Sequence, residues 1–413
     1  MALPLALIPA LLTVLLPALG PDGDGCRRCD KRGVVPCDKH SEEEHAYEVD
    51  VQFCSVAAAC KACAGALLID CKRCKGGPDD ELIPTRQAAV KAWMAEQPMA
   101  EFLERPVPVA ETKHFKLIID TGTLKEGRKK VDQHLIMHRV ARDVEEVARL
   151  IGEHYVLQGS EAMAAANAAK PEEEEDFPDS WTEPETPKPD YKAKMRMWIW
   201  NKPADHKKVM HKFLHSASTG DFKMLGKTPV FSVWTEDSFD TVPGVRRLFT
   251  HNASHMLLSN LYKEMWTGDQ GGGWMDAGSA HWYEYKIHEL SLNYCIEEAT
   301  ARLNFHNGVW RAPIRRQLQK QSKRQLPRLM DMNTGAMSLP EQAICWSLYD
   351  WLVANHVQAI PKILQGLKQR VPSRDLLREH LGMSVLKIED EWREWVEATY
   401  PLKGDVPRTP KRR

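Results

Sequence analysis

The stretch Leu248-Phe-Thr-His251-Asn-Ala-Ser-His255-Met-Leu-Leu258 places two histidines four residues apart inside an apolar run. We predict that it belongs to a helix over Val242–Trp266, because its length and apolar content suit a core helix. Residues four apart lie on one face of a helix, so both imidazoles can bind a single metal ion. The stretch therefore predicts a helix that carries two metal ligands.

A second predicted helix, Trp274–Leu292, begins with Trp-Met-Asp-Ala-Gly-Ser-Ala-His-Trp-Tyr-Glu. With the two histidines, it resembles the gluzincin metallopeptidases, particularly the peptidase MA-like proteins found as exported bacterial domains. That family reads HExxH and then W-L-x-E-G-x-A-x-Y, whose Glu is the third zinc ligand. Trp274, Gly278 and Ala280 fall in register with the second element. The resemblance covers residues 110–400 and implies a zinc-binding gluzincin-like domain.

Two positions depart from that family. In HExxH the Glu after the first His is the general base, and here the position holds Asn252. The family's third zinc ligand falls at Ala277. A catalytic zinc needs three protein ligands and an activated water, and loss of a general base alone lowers a rate by about 10²–10⁴. We therefore predict a catalytically inactive metallopeptidase homologue that binds a peptide or a partner protein.

Neighbouring residues offer an alternative. His281 lies four residues after Ala277, on the same helix face, so a His251–His255–His281 metal site is geometrically feasible. Asp276 is rotated about 100° around the helix from Ala277, and we expect it to point elsewhere. A rearranged site that uses His281 or Asp276 would make the protein a zinc-dependent hydrolase of peptide bonds.

Eight of the ten cysteines lie between residues 26 and 74, and an internal repeat orders most of them. Each repeat offers four soft ligands as two knuckles, which suits tetrahedral zinc. The alternative is disulfide bonding in an oxidising compartment. No CxxC is followed by His, which excludes c-type haem. The repeats, offset by 34 residues, are Cys26, Cys29, Cys37, His40 and then Cys60, Cys63, Cys71, Cys74.

The cysteine pattern resembles the zinc-binding segment of DnaJ-type proteins. That resemblance implies that the outer knuckles share one zinc ion and the inner knuckles another. Ligation within each repeat is equally compatible with the sequence. Cys54 is left over, and we predict that Cys295 and Cys345 are buried thiols in apolar helices. If the cysteine-rich segment carries the main function, the protein is a structural or chaperone-like zinc-knuckle protein, which is the third hypothesis.

The N-terminal segment indicates export. Residues 1–20 are mostly apolar and end in Ala18-Leu19-Gly20, which is typical of a cleaved secretory signal; an uncleaved membrane anchor is the alternative. We expect a periplasmic or extracellular protein with no stable membrane span after cleavage. A net charge of −1 gives no electrostatic reason to expect a nucleic-acid partner.

The remaining organisation follows from composition and periodicity. We predict a cysteine-rich module at 21–80, a linker helix at 81–109, a gluzincin-like domain at 110–400 with a disordered acidic, proline-rich insertion at 159–192, and a basic tail at 401–413. Few strands and many helices indicate an α+β fold with a small mixed sheet and a largely helical C-terminal part. The predicted strands are Thr112–Asp120, Met195–Trp200 and Pro229–Trp234, and the further helices are Pro84–Arg105, Leu124–Leu157, Ala204–His215, Ala312–Ser322, Leu339–Asn355, Ile360–Arg370, Ser373–Leu381 and Leu386–Glu397.

Overall fold

The computed structural model of the chain describes residues 26–41, 52–73, 77–155, 194–235, 239–295, 298 and 305–403. The predicted signal peptide, Cys74, the acidic insertion and most of the basic tail lie outside these residues. None of the helices in the described ranges has both the length and the apolar content to cross a bilayer.

The described residues include ten strands: β1 (Val34–Pro36), β2 (Phe53–Cys54), β3 (Leu68–Asp70), β4 (Val109–Glu111), β5 (Phe115–Asp120), β6 (Leu124–Glu126), β7 (Lys129–Val131), β8 (Met195–Trp200), β9 (Phe222–Met224) and β10 (Val230–Trp234). Six of them form a mixed sheet in the order β2-β4-β5-β8-β10-β9, with β5, β8 and β10 parallel and the other pairs antiparallel.

The central strands are those with continuous apolar runs. Both faces of β8 are covered, so nearly every residue of its MRMWIW sequence is buried, as is usual for a parallel strand. Its predicted bounds are confirmed. β5 starts later than predicted because Thr112 forms a turn, in which its Oγ1 accepts a hydrogen bond from the Phe115 amide at 3.0 Å.

Helices make up most of the remainder, and the α+β class is confirmed. They are α1 (Ser55–Ala58), α2 (Leu82–Ala95), α3 (Pro98–Phe102), α4 (Gln133–Tyr155), α5 (Pro203–Leu214), α6 (Val242–Asn260), α7 (Gly273–His288), α8 (Arg311–Lys320), α9 (Leu326–Leu329), α10 (Leu339–Asn355), α11 (Ile360–Lys368), α12 (Ser373–Leu381) and α13 (Val385–Thr399). The helical C-terminal part begins with α6.

The two helices predicted to carry the site end early, at Asn260 rather than Trp266 and at His288 rather than Leu292. Two other predicted helices are interrupted. The segment predicted as one helix over Leu124–Leu157 begins with the β6–β7 hairpin, because Gly127 adopts a φ of +60° that turns the chain. The segment Pro84–Arg105 splits into α2 and α3. Gln97 is extended at that break (φ −96°, ψ 90°), since a residue before proline avoids helical geometry.

Four helices stack around the two histidines: α4 packs on α6, α6 on α7, and α7 on α10. The last pair approaches closely at Gly278, where a Cβ atom would lie 2.6 Å from the Cys345 carbonyl oxygen. Glycine is therefore required there by contact between backbones. The result is a fully buried layer of polar side chains between α6 and α7.

The cysteine-rich segment is joined to the main sheet. β1 and β3 pair with each other, but β2, which lies between them in the chain, pairs with β4 and forms one edge of the six-stranded sheet. Cys54 of β2 is opposite Ala110. The segment predicted as a separate module at 21–80 thus contributes a strand to the domain predicted to begin at 110.

Candidate metal centre

The two histidines of α6 face each other across one helical turn. Their Nε2 atoms are 3.1 Å apart, and their ring centroids are 4.8 Å apart. His251 is 0% exposed and His255 is 2% exposed. The predicted placement of both imidazoles on one helix face is what the structure shows, and that face is sealed against α7.

The chain after α7 supplies two more donors. Oε2 of Glu298 lies 3.1 Å from His251 Nε2, and Sγ of Cys295 lies 3.5 Å from His255 Nε2. The four ligand atoms all lie within 4.8 Å of one another, and all four residues are buried. The sequence prediction treated Cys295 only as a buried thiol and missed Glu298. A Cys and a Glu three residues apart, directly after the second helix, were the available signal.

These separations fit zinc. Zinc binds nitrogen at about 2.05 Å and sulfur at about 2.3 Å. Around a tetrahedral zinc ion, two nitrogen ligands are therefore about 3.3 Å apart, and a nitrogen and a sulfur ligand about 3.6 Å apart. The measured values are 3.1 Å between His251 and His255, and 3.5 Å between His255 and Cys295. Oε1 of Glu298 is buried and makes no hydrogen bond of normal geometry among the described residues, although His281 Nε2 lies 3.1 Å away. The donor set is thus suited to hold a zinc ion.

Two carboxylates orient the histidines from the far side. His255 donates from Nδ1 to Asp276 Oδ1 at 2.8 Å, and Thr334 Oγ1 donates to Asp276 Oδ2 at 2.8 Å. His251 Nδ1 lies 3.2 Å from Glu284 Oε2, and two backbone amides of the following loop donate to Oε1 of Glu284 at 2.9 Å. Such partners fix the tautomer that leaves Nε2 available for a metal.

Asp276 points away from the four-donor cluster, but it contacts the far side of His255. The helices α6 and α7 cross so that the position next to Ala277, rather than Ala277 itself, faces His255. Asp276 meets the Nδ1 atom, on the side of the ring away from the four-donor cluster. It is therefore placed as a partner of His255 and is absent from the four-donor set.

His281 also reaches the cluster. Its Nε2 lies 3.1 Å from Glu298 Oε1, its Nδ1 lies 2.8 Å from Ser291 Oγ, and its ring centroid is 4.8 Å from that of His251. With His251 and Glu284 it forms a second, overlapping set of ligand atoms within 4.8 Å of one another. His251 is thus close to both His255 and His281, but among the described residues no group of ligand atoms within 4.8 Å of one another contains all three histidines.

The two positions that depart from the gluzincin pattern are both buried in the structure. Asn252 donates from Nδ2 to the Leu248 carbonyl oxygen of its own helix at 2.9 Å. Ala277 is 0% exposed and contributes only a methyl group. Neither side chain supplies a carboxylate to the site, so the position of a peptidase general base carries no proton acceptor of suitable basicity.

Opposing charges are concentrated in this layer. Burial lowers the pKa of His251, but the negative charge of Glu298 and several hydrogen bonds outweigh it and hold that pKa well above its ordinary value. Burial also lowers the pKa of His255, but the negative charge of Asp276 outweighs it, so this pKa too lies well above its ordinary value. Burial raises the pKa of Glu298, yet the neighbouring histidines bring it well below its ordinary value. A bound cation would replace these protons as the balancing positive charge.

The cysteine repeats come together in a crossed arrangement. One group of ligand atoms within 4.8 Å combines the inner knuckles, with His40 Nε2 3.2 Å from Cys63 Sγ. A second combines the outer knuckles, with Cys26 Sγ 3.7 Å from Cys71 Sγ. That distance exceeds a disulfide bond of about 2.05 Å and matches the roughly 3.8 Å between two sulfurs at a tetrahedral zinc. The groups are Cys37, His40, Cys60, Cys63 and Cys26, Cys29, Cys71.

The crossed arrangement is one of the two pairings that the sequence leaves open. No protein-family model matches the chain, and no curated protein is significantly similar to it. The likeness to gluzincin and DnaJ-type proteins therefore stays a prediction from the motifs. The cysteine repeats thus form two groups of candidate metal ligands, and the layer between α6 and α7 holds two overlapping groups of mixed donors.

Proposed function

We propose that the protein is a non-hydrolytic relative of the gluzincin peptidases, in which the former catalytic zinc site holds a structural ion. One observation carries the proposal: two histidines, Cys295 and Glu298 supply four mutually close, buried donors. Structural zinc sites are closed by four protein ligands, whereas catalytic sites keep a position for water or substrate. His251, His255, Cys295 and Glu298 fill the tetrahedron themselves.

The surrounding side chains support the same conclusion. The two described carboxylates beside the donor set face the Nδ1 atoms of its histidines: Asp276 pairs with His255, and Glu284 with His251. A general base must be within hydrogen-bond reach of the proton that it removes, and Asn252 instead donates to its own helix. These residues hold and orient the metal ligands; they are not arranged to activate a water molecule.

The binding role rests on the motifs. Trp274, Gly278 and Ala280 keep the peptidase order but are buried, so they support the resemblance to a peptidase domain and do not form a recognition surface. Binding of a peptide or a partner protein is the role that remains for such a domain once catalysis is lost. The zinc knuckles of the cysteine-rich segment add a docking element. The apolar residues 1–20 support action outside the cytoplasm, either released or anchored by that segment.

Metal analysis and a peptide-cleavage assay on the full chain test this proposal. We expect one zinc ion per chain to be lost on His255→Ala and on Glu298→Ala, with no cleavage of a broad peptide library by the zinc-loaded protein. The Asn252→Glu variant, which restores HExxH, should also stay inactive because four protein donors occupy the metal. Cleavage by the unmodified chain that ends on chelation and on His255→Ala would contradict the proposal.

A zinc-dependent peptide hydrolase is the second candidate. The observation in its favour is that His281 lies 3.1 Å from Oε1 of Glu298. If these two side chains pair with each other, His251 and His255 keep a metal ion with positions open to water. In that case His281→Ala should abolish cleavage, whereas in the structural site the same change leaves zinc bound and there is no activity to lose.

A further inference from the structure

Outside the cluster between α6 and α7, three buried side chains form another group of metal ligands. They are Cys54 of β2, and His134 and His138 of α4, which are 5%, 7% and 1% exposed. Their ligand atoms all lie within 4.8 Å of one another. We infer that Cys54, His134 and His138 bind a zinc ion that fastens the cysteine-rich segment to the main domain.

The geometry of the two imidazoles carries the first step. His134 and His138 are four residues apart in the first turns of α4, so they share a helix face. Their Nε2 atoms are 3.0 Å apart, with ring centroids separated by 4.6 Å. Two nitrogens at a tetrahedral zinc are separated by about 3.3 Å. His251 and His255 also face each other through their Nε2 atoms, at nearly the same distance of 3.1 Å.

The chemistry of the donors carries the second step. A thiolate and two imidazoles are soft or borderline ligands, which favour zinc and similar transition metals over Mg²⁺ or Ca²⁺. Hydrophobic side chains surround Cys54, including those of the main core. A zinc ion bound by this sulfur and the two ring nitrogens would stabilise the folded protein, because the free energy of zinc binding contributes directly to the free energy of folding.

The position of the group carries the third step. Cys54 lies on the edge strand that comes from the cysteine-rich segment, whereas both histidines lie on the long helix of the main domain. The ring centroid of His134 is also 5.1 Å from that of His40, which belongs to the inner-knuckle group. The two groups therefore adjoin. A metal ion held by Cys54 would link β2 and α4 next to the zinc knuckles, and it accounts for the one cysteine of this region that lies outside the repeats.

Zinc content of the full chain tests the inference. Cys54→Ser and His138→Gln are each expected to remove one zinc ion per chain, while Cys345→Ser, which alters another buried thiol outside the metal groups, should remove none. In cobalt-substituted protein, Cys54→Ser should also reduce the thiolate-to-cobalt charge-transfer absorption. Unchanged zinc content in folded Cys54→Ser and His138→Gln would overturn the inference.

A double variant separates this centre from the one between α6 and α7. Cys54→Ser combined with His255→Ala should lack two zinc ions per chain, against one for each single variant. Loss of only one ion in the double variant would show that both changes act on a single centre and would overturn the inference. If Cys54→Ser fails to fold, His134→Gln replaces it, because glutamine keeps the size and polarity of the side chain without an imidazole. The outcome does not depend on whether the protein hydrolyses peptides.

Discussion

We expect Glu284 to control the metal affinity of the four-donor group between α6 and α7, although it is not one of the four donors. Its Oε2 lies 3.2 Å from His251 Nδ1, while its Oε1 accepts hydrogen bonds from the amides of Leu292 and Asn293 at 2.9 Å each. The carboxylate is 0% exposed. It therefore favours the His251 tautomer with the proton on Nδ1, which leaves the Nε2 lone pair facing Glu298 and His255.

The Glu284→Gln variant keeps the shape but makes one of the two oxygens a donor. If the amide oxygen stays with the two backbone amides, the NH₂ group faces His251 Nδ1 and favours the tautomer with the proton on Nε2, which blocks the metal position. Loss of such an orienting partner lowers metal affinity about 10- to 100-fold, or about 1.4–2.7 kcal/mol. Weaker hydrogen bonds to a buried charge should also destabilise the apoprotein by about 1.5–3 kcal/mol.

The assay is competition for zinc between the full chain and a chelator, followed by thermal unfolding with and without zinc. Glu289→Gln is the matched control, because Glu289 is an exposed residue just beyond the end of α7, and it should behave as the unmodified protein. Equal zinc affinity and equal unfolding temperature for Glu284→Gln and Glu289→Gln would refute the reasoning that Glu284 sets the tautomer of His251.

Three further predictions concern the surrounding fold. Burial, and then nearby positive charges, lower the pKa of His154 to about 4. The imidazole has a pKa of about 6.5 in the unfolded chain, so its contribution to the free energy of unfolding is fully present above that pH. That free energy falls by about 3 kcal/mol as the pH drops to about 4. Denaturant titrations across this pH range should show a smaller fall for His154→Gln. Lys368→Met should destabilise the protein by about 2 kcal/mol in urea unfolding, because two carbonyl oxygens that now accept from Nζ at 2.8 and 2.6 Å lose their donor; an unchanged midpoint would contradict this. Gly278→Ala should lower the unfolding temperature by an amount corresponding to about 1–3 kcal/mol, because its methyl group meets the Cys345 carbonyl, whereas Gly220→Ala, where a Cβ meets nothing within 4 Å, should not.

Local periodicity was enough to predict most of the elements. β8 and the helices Leu339–Asn355 and Ser373–Leu381 have the predicted bounds, since their apolar patterns have clear starts and stops. The hairpin at Leu124–Val131 was missed because its apolar residues also fit a helical period. What decides that segment is the left-handed turn at Gly127, which lets Leu124–Glu126 pair with Lys129–Val131.

The sequence by itself determined which donors exist and which spacing they have along the chain. The four-residue interval put His251 and His255 on one face, and the repeat paired the cysteines into knuckles, because these relations depend only on local geometry. Only the tertiary structure decided what meets them. Glu298 and Cys295 enter from a loop beyond α7, Asp276 turns out to face His255, and the inner and outer knuckles cross. Such contacts join residues far apart in the chain, and they are fixed by how the helices cross and the sheet edge pairs, which no local pattern encodes.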